Sequence, residues 1–308
     1  MASELEIIRR IRTGAKAKSA SVRVGIGDDC AILKALPDHE WVVTTDFSLE
    51  GRHFRRDWHT AESAGYRCLA RGLSDVAAMG ARPVAAFLSL ALPKGFDEAW
   101  FAGFMAGFHA LGEEFSVELA GGDTSQAPGE QILADVMVIG TIEKGKAIRR
   151  VGARVGDGIY VTGSLGGAAA ELAALAAGQP WEFESWPQTF PEPRVAVGFQ
   201  LSKRQWATAG MDVSDGLSTD LRHLCEASGV RGMLELESLP LGPAATLEQA
   251  LHGGEDYELL FTAMAGVKVP RSMAGVPVTR IGTVTAGEGV GVVGGGELEA
   301  GGWEHLRD

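Results

Sequence analysis

Apolar residues recur along the chain in two rhythms, one of about 3.6 residues and one of two, and the rhythms take turns. Leu5, Ile8 and Ile11 give residues 4–12 the spacing of a short amphipathic helix, after which GAKAKSASVRV is small and basic. Strand-like runs lie at residues 41–45, 84–92 and 132–142, with helical spacing at about 60–79 and 97–115 between them. A basic, glycine-bearing stretch, KGKAIRRVGARVGDG, follows Glu143, and the alternation restarts. A strand at 159–162 leads to an alanine-rich helix at about 165–177, a Pro/Trp-rich connection at 179–193 and a helix ending before Ala207. A short strand into Met211, a helix at about 217–228 and strands near 233–236, 258–262 and 278–284 complete the pattern, before a glycine-rich end. The break near residue 145 predicts two domains, 1–145 and 146–308, each mixing helices and strands.

Composition narrows this picture. A formal charge of −12 argues against nucleic acid or an anionic membrane surface as partner. Forty-two glycines make the chain loop-rich, while 45% hydrophobic content still supports packed cores. Three cysteines, Cys30, Cys68 and Cys225, have no CxxC spacing, so a reducing cytoplasm is expected rather than a disulfide framework. The stretch MASELEIIRR has no apolar signal-peptide core, and the longest clean apolar run, 84–92, is too short to span a bilayer.

The candidate chemistry lies in acidic motifs. Gly25-Ile26-Gly27-Asp28-Asp29-Cys30 is either a hard-cation loop or an Asx turn. Thr44-Thr45-Asp46, read as a strand end, precedes Glu50-Gly51-Arg52-His53-Phe54; it is either a metal and anion site or a solvated hairpin loop. Asp75 sits in a small, apolar helical pattern, where burial demands a cation or a donor nearby. Gly121-Gly122-Asp123-Thr124-Ser125 reads as a phosphate or metal loop, or as a tight turn. In Met211-Asp212-Val213-Ser214-Asp215-Gly216 two carboxylates three apart share a face if the helix begins early enough, and otherwise Asp215 is an N-cap. Gly253-Gly254-Glu255-Asp256-Tyr257-Glu258 precedes a strand. Six such motifs are hard to explain as six unrelated turns.

Many carboxylates, glycine loops and scattered arginines without an evident nucleophile suit phosphoryl transfer from a nucleotide, where positioning and charge neutralisation do most of the catalysis. The chain has no GxxxxGK[ST], HRDxxxxN, HExxH or GxSxG. Gly163-Ser164-Leu165-Gly166-Gly167, between a strand and a helix, suits an anion at the helix amides but lacks the dinucleotide fingerprint.

Taken in order, GIGDDCA, TTDFSLEGRHF, LSDVAAMGARP, GGDTS, RRVGARVGD, VTGSLGG, MDVSDGLSTDL and GGEDYELLFT resemble the thiamine-monophosphate kinase family, within the ATP-binding superfamily that includes aminoimidazole ribonucleotide synthetase. The resemblance runs from about residue 4 to the end. It implies a two-domain α+β fold: an N-terminal dimerising α/β domain that binds ATP and metal, and a C-terminal α/β domain that completes a cleft. It also implies ATP-dependent phosphorylation of thiamine monophosphate to thiamine diphosphate, several Mg²⁺ ions and a homodimer. Matched residue by residue, it places metal at Asp28, Thr44, Thr45, Asp46, Asp75, Asp123, Asp212 and Asp215. It places nucleotide at Gly122, Asp123, Arg150 (or the adjacent Arg149) and Ser214, and the acceptor at His53, Glu255 and the aromatic Trp303. These six aspartates, with Glu255, Asp29 and Asp256, make nine acids that would border one cleft. Departures are Phe47-Ser48 for Thr-Leu, Arg52 for a small apolar residue, and VGA for SGA after Arg150.

The acceptor is a phosphate monoester with a second pKa near ~6, so its attacking oxygen is already largely ionised and no protein nucleophile or strong base is expected. Two other classes stay open: a sister enzyme of the superfamily with a different acceptor, and a non-enzymatic binder of nucleotide or thiamine phosphate. Against the first, no Cys lies just upstream of the GDD motif and the chain as given ends in HLRD, without a terminal Cys; against the second, the acidic motifs are intact.

Overall fold

The computed structural model describes residues 4–304 save 17, 27–29 and 35. The chain forms two compact units, Met1–Val76 with Arg82–Lys144, and Ala77–Ala81 with Gly145–Asp308. In chain order the elements up to Glu143 are α1 (Glu4–Gly14), β1 (Val22–Val24), β2 (Ile32–Leu33), β3 (His39–Leu49), α2 (Ala61–Ala78), β4 (Arg82–Leu92), α3 (Glu98–Phe115), β5 (Glu118–Gln126) and β6 (Leu133–Glu143). They build a four-stranded sheet in the order β3-β6-β4-β5, with β4 and β5 parallel and the other pairs antiparallel.

The helices start and stop where the sequence dictates. Asp97 caps α3 by accepting the N–H groups of Ala99 and Trp100, and Ser116 ends it in the left-handed region. Leu69 and Leu73 of α2, Phe104, Phe108 and Leu111 of α3, and Val136 and Val138 of β6 are buried. The period-two burial of β6 marks a sheet with one packed face and one open face. On the open face of β3, Trp41, Val43 and Phe47 are 38%, 59% and 61% exposed.

The second unit continues with β7 (Gly158–Thr162), α4 (Gly167–Ala176), α5 (Val195–Arg204), β8 (Ala209–Asp212), α6 (Leu217–Ser228), β9 (Arg231–Leu234), α7 (Leu247–His252), β10 (Leu259–Ala263), β11 (Ser272–Met273), β12 (Val276–Thr285) and β13 (Val290–Val292). Its sheet runs β13-β9-β12-β7-β10-β8, with β11 paired to β12. Ile159, Val161, Met211, Leu221, Leu224, Leu260 and Ile281 belong to one buried cluster under α6 and α7.

Three sequence expectations change here. β3 does not end at Thr44-Thr45-Asp46 but runs on to Leu49. Gly121 to Ser125 is strand, not loop, because β5 pairs with β4 through Gln126. α7 escaped the apolar periodicity, although Thr246 and Gln249 form the capping box that marks its start.

Candidate functional site

In the first unit Asp46 and Asp75 hang on one strand and the helix behind it. Strand alternation turns Thr44, Asp46 and Ser48 toward α2 and leaves Thr45 exposed on the other face with Val43 and Phe47. Three rungs follow: Ser48 hydrogen-bonds Cys68, Asp46 Oδ1 lies 3.8 Å from Arg71 Nη2, and the Thr44 hydroxyl donates to Asp75 Oδ2. The spacing 68, 71, 75 is that of one helix face. Asp75 thus has the donor that its apolar setting requires.

Gly122 and Asp123 stand elsewhere on the sheet. Gly122 has φ +146°, and a Cβ there would lie 1.9 Å from the Leu88 carbonyl, so only glycine permits this approach of β5 to β4. Asp123 is exposed and in register with Ser89, itself opposite Asp135, whose carboxyl is raised above the usual range by burial. Two strands separate β5 from β3, which at ~4.8 Å per strand sets Asp123 about 14 Å from Asp46. Asp28 lies outside the described residues.

His53 follows β3. Its Nδ1 accepts the Leu49 N–H at 2.9 Å, so the neutral ring carries its proton on Nε2, and its carbonyl accepts from buried Arg67 at 3.0 Å.

In the second unit the motif loops zip together through main-chain bonds. Val213 N–H donates to the Glu258 carbonyl (2.8 Å), Tyr257 N–H to Val213 (2.9 Å) and Glu255 N–H to Ser214 (2.8 Å). The Trp303 N–H donates to the Asp215 carbonyl at 2.9 Å, and its side chain is 52% exposed. Asp212, Ser214, Asp215, Glu255 and Trp303, scattered over 92 residues of sequence, are thereby brought into one neighbourhood. The carboxylates do not share a helix face: Asp212 ends β8, and α6 begins only at Leu217. Nor is Asp215 the N-cap, a position held by Gly216 without a side-chain bond.

At the centre is a residue that the motif reading missed. Asp220, 1% exposed, accepts the N–H groups of Ser214 (3.0 Å) and Asp215 (3.1 Å) on Oδ2, while its buried Oδ1 has no hydrogen-bond partner. Burial, then Asp212 and Asp215, pushes its pKa up to about 8. Its position in the first turn of α6, where helix amides favour an acid, was the available signal. A buried orphan carboxylate oxygen beside two more acids fits a hard divalent cation. Among the described residues, though, no three His, Cys, Asp or Glu side chains form a ready cage.

The glycine loop before α4 holds the protein's own anion. Asp256, 8% exposed, accepts Gly166 N–H at 2.7 Å and Ala168 N–H at 3.2 Å. Burial pushes its pKa up to about 7 against those two donors. Asp256 is therefore an internal helix anchor and not part of a cleft border. Arg150 and Arg149 are both exposed; the Arg150 carbonyl accepts from Ser228 at the far end of α6, about 18 Å from Asp215 for 12 helical residues, whereas the Arg149 carbonyl accepts from Gly210 beside Asp212.

Comparison with known proteins assigns this arrangement to a class. Residues 27–142 match the N-terminal domain, and residues 154–295 the C-terminal domain, of AIR synthase related proteins. Within that class the chain belongs to the thiamine-monophosphate kinase family: the kinase of Salmonella typhimurium is 37% identical over 92% of this chain and 90% of the relative. The crystal structure of thiamine-monophosphate kinase from Stenotrophomonas maltophilia K279a superposes with a TM-score of 0.84 at 36% identity, covering 96% of this chain and 98% of that one. The structure of AaThiL complexed with AMPPCP and TMP gives 0.78 at 32% identity over 98% and 97%. The two-domain α+β fold implied by the motifs is the fold of these relatives.

Proposed function

We propose that the chain transfers the γ-phosphoryl group of ATP to thiamine monophosphate, giving thiamine diphosphate and ADP. Membership of the family supports the reaction, and the observation that carries it to this chain is the packing of Asp212, Ser214, Asp215, Glu255 and Trp303 around the buried Asp220. The residues that would hold Mg²⁺ are Asp28, Thr44, Thr45, Asp46, Asp75 and Asp123 in the first unit and Asp212 and Asp215 in the second. Bound there, Mg²⁺ supplies neutralisation of charge between two polyanions. Gly122, Asp123, Ser214 and an arginine, Arg149 or Arg150, take the nucleotide; His53, Glu255 and Trp303 take the acceptor, the indole face suiting a cationic thiazolium.

The acceptor phosphate is already ionised near neutral pH, so the side chains orient and need not abstract a proton. Burial pushes the Cys68 and Cys225 thiols up to about 12 and about 11, which keeps both from serving as thiolate nucleophiles. A direct in-line transfer without a phosphoenzyme is therefore the favoured course. Three free cysteines suit a reducing, cytoplasmic setting, and no helix among the described residues is long and apolar enough to cross a membrane.

We assign ATP binding, metal binding and self-association to residues 1–145, with residues 146–308 completing the site through Asp212, Ser214, Asp215, Glu255 and Trp303. The open face of β3, with Trp41, Val43 and Phe47 exposed, supports a homodimer. The test of the whole reading is stoichiometric conversion of thiamine monophosphate and Mg-ATP to thiamine diphosphate and ADP by the purified protein, with free thiamine left unphosphorylated. Product from thiamine, or none from its monophosphate, would reject it.

A further inference from the structure

The Pro/Trp-rich connection at 179–193 forms neither helix nor strand, yet its middle is fixed from two sides. Glu171, wholly buried in α4, accepts the Gln188 N–H at 2.7 Å on Oε2 and the Thr189 hydroxyl on Oε1. The Gln188 side chain, 1% exposed, donates from Nε2 to Glu255 Oε2 at 2.9 Å. The orientation of that amide follows from chemistry, since its oxygen would set two acceptors against each other.

The main chain at Glu255 is separately secured. It has φ +66°, Tyr257 has φ +51°, and between them Asp256 is tied to the start of α4. Main-chain anchorage fixes where the Glu255 side chain begins but leaves its three rotatable bonds open. The contact from Gln188 sets where its carboxylate ends.

We propose that Gln188, seated by Glu171, is a positioning residue for acceptor binding: it holds the Glu255 carboxylate in the direction that meets the acceptor. The proposal rests on the reading of Glu255 as an acceptor-side residue. A carboxylate ordered in advance spends no binding energy on being ordered by the ligand, so the loss of Gln188 is felt in acceptor affinity and not in nucleotide affinity.

The experiment is steady-state kinetics of the full chain with Mg-ATP and thiamine monophosphate for Gln188→Ala, Glu255→Ala and the double variant. Gln188→Ala should raise KM for thiamine monophosphate about tenfold, the scale of ordering one flexible side chain, with KM for ATP and kcat within about twofold of wild type. The double variant should match Glu255→Ala, because Gln188 acts only through that carboxylate. A wild-type KM in Gln188→Ala, or effects that multiply in the double variant, would overturn the proposal. A wild-type KM in Glu255→Ala would instead overturn the placement of Glu255 on the acceptor side. Should Gln188→Ala fold poorly, Gln188→Glu keeps the shape and the Glu171 contact while setting two carboxylates together. Its KM for thiamine monophosphate should rise above that of wild type. A KM equal to that of wild type counts against the proposal.

Discussion

The two units carry their acids in opposite ways. In the first, Asp46 and Asp75 sit on a strand–helix ladder and each faces a complementary group, Arg71 or the Thr44 hydroxyl. In the second, Asp212 at the end of β8 and Asp215 on the loop after it stand beside Asp220, a buried carboxylate with an orphan oxygen. The ladder is electrostatically satisfied as it stands, whereas the loop cluster is held together by main-chain bonds despite its charge. A cation has the most to offer where burial and like charge already penalise the acids.

That contrast can be broken, and the largest effect should come from the loop cluster. Asp215→Asn is expected to lower kcat by about 10²–10³ while the protein still folds, the scale of losing one electrostatic contact to the transition state. A rate near wild type would reduce Asp215 to a loop residue.

Next comes stability against pH in metal-free buffer. Asp220 titrates at about 8 and Asp256 at about 7 in the folded protein, both above the ordinary value of 3.8. A raised folded pKa gives stability that is fully present below about pH 4 and is lost as pH rises toward about 8. Asp220→Asn should therefore unfold at higher denaturant than wild type at pH 8, by a few kcal/mol at most, and converge with it near pH 4. Equal denaturation midpoints at pH 8 would show that the orphan oxygen costs nothing.

On the ladder the expected effects are smaller. Thr44→Val removes the hydroxyl donor to Asp75 and should cost about 1 kcal/mol in chemical denaturation. Loss of less than a few tenths would mean that Asp75 is satisfied by other means. Phe47→Glu on the open face should leave the monomer fold intact and shift a homodimer toward monomer in light scattering; an unchanged mass would exclude this face as the interface.

Much of the fold was legible in the chain. The apolar rhythm located α2 and α3 to within one residue at most ends, because an 18-residue amphipathic pattern admits few alternatives. The motif residues of the second unit were legible as types but not as an arrangement. Asp212 and Asp215 looked like a helix pair, yet the early glycine, Gly216, delays the helix and leaves them on a strand end and a loop. Likewise, the strand at Gly122 was hidden because glycine-rich motifs read as turns whether or not a neighbouring backbone comes close.

By itself, then, the sequence determined the alternation of helices and strands, the acidic character of the site and the family to which its ordered motifs point, since these depend on local spacing and residue type. Only the tertiary structure decided that Thr44 faces Asp75 while Thr45 faces away, that Asp256 answers the amides of α4, and that Gln188 reaches Glu255 from 67 residues earlier. Hydrogen-bond partners so far apart in the chain are chosen by packing and by the cost of burying an unpaired charge, and neither has a local signature.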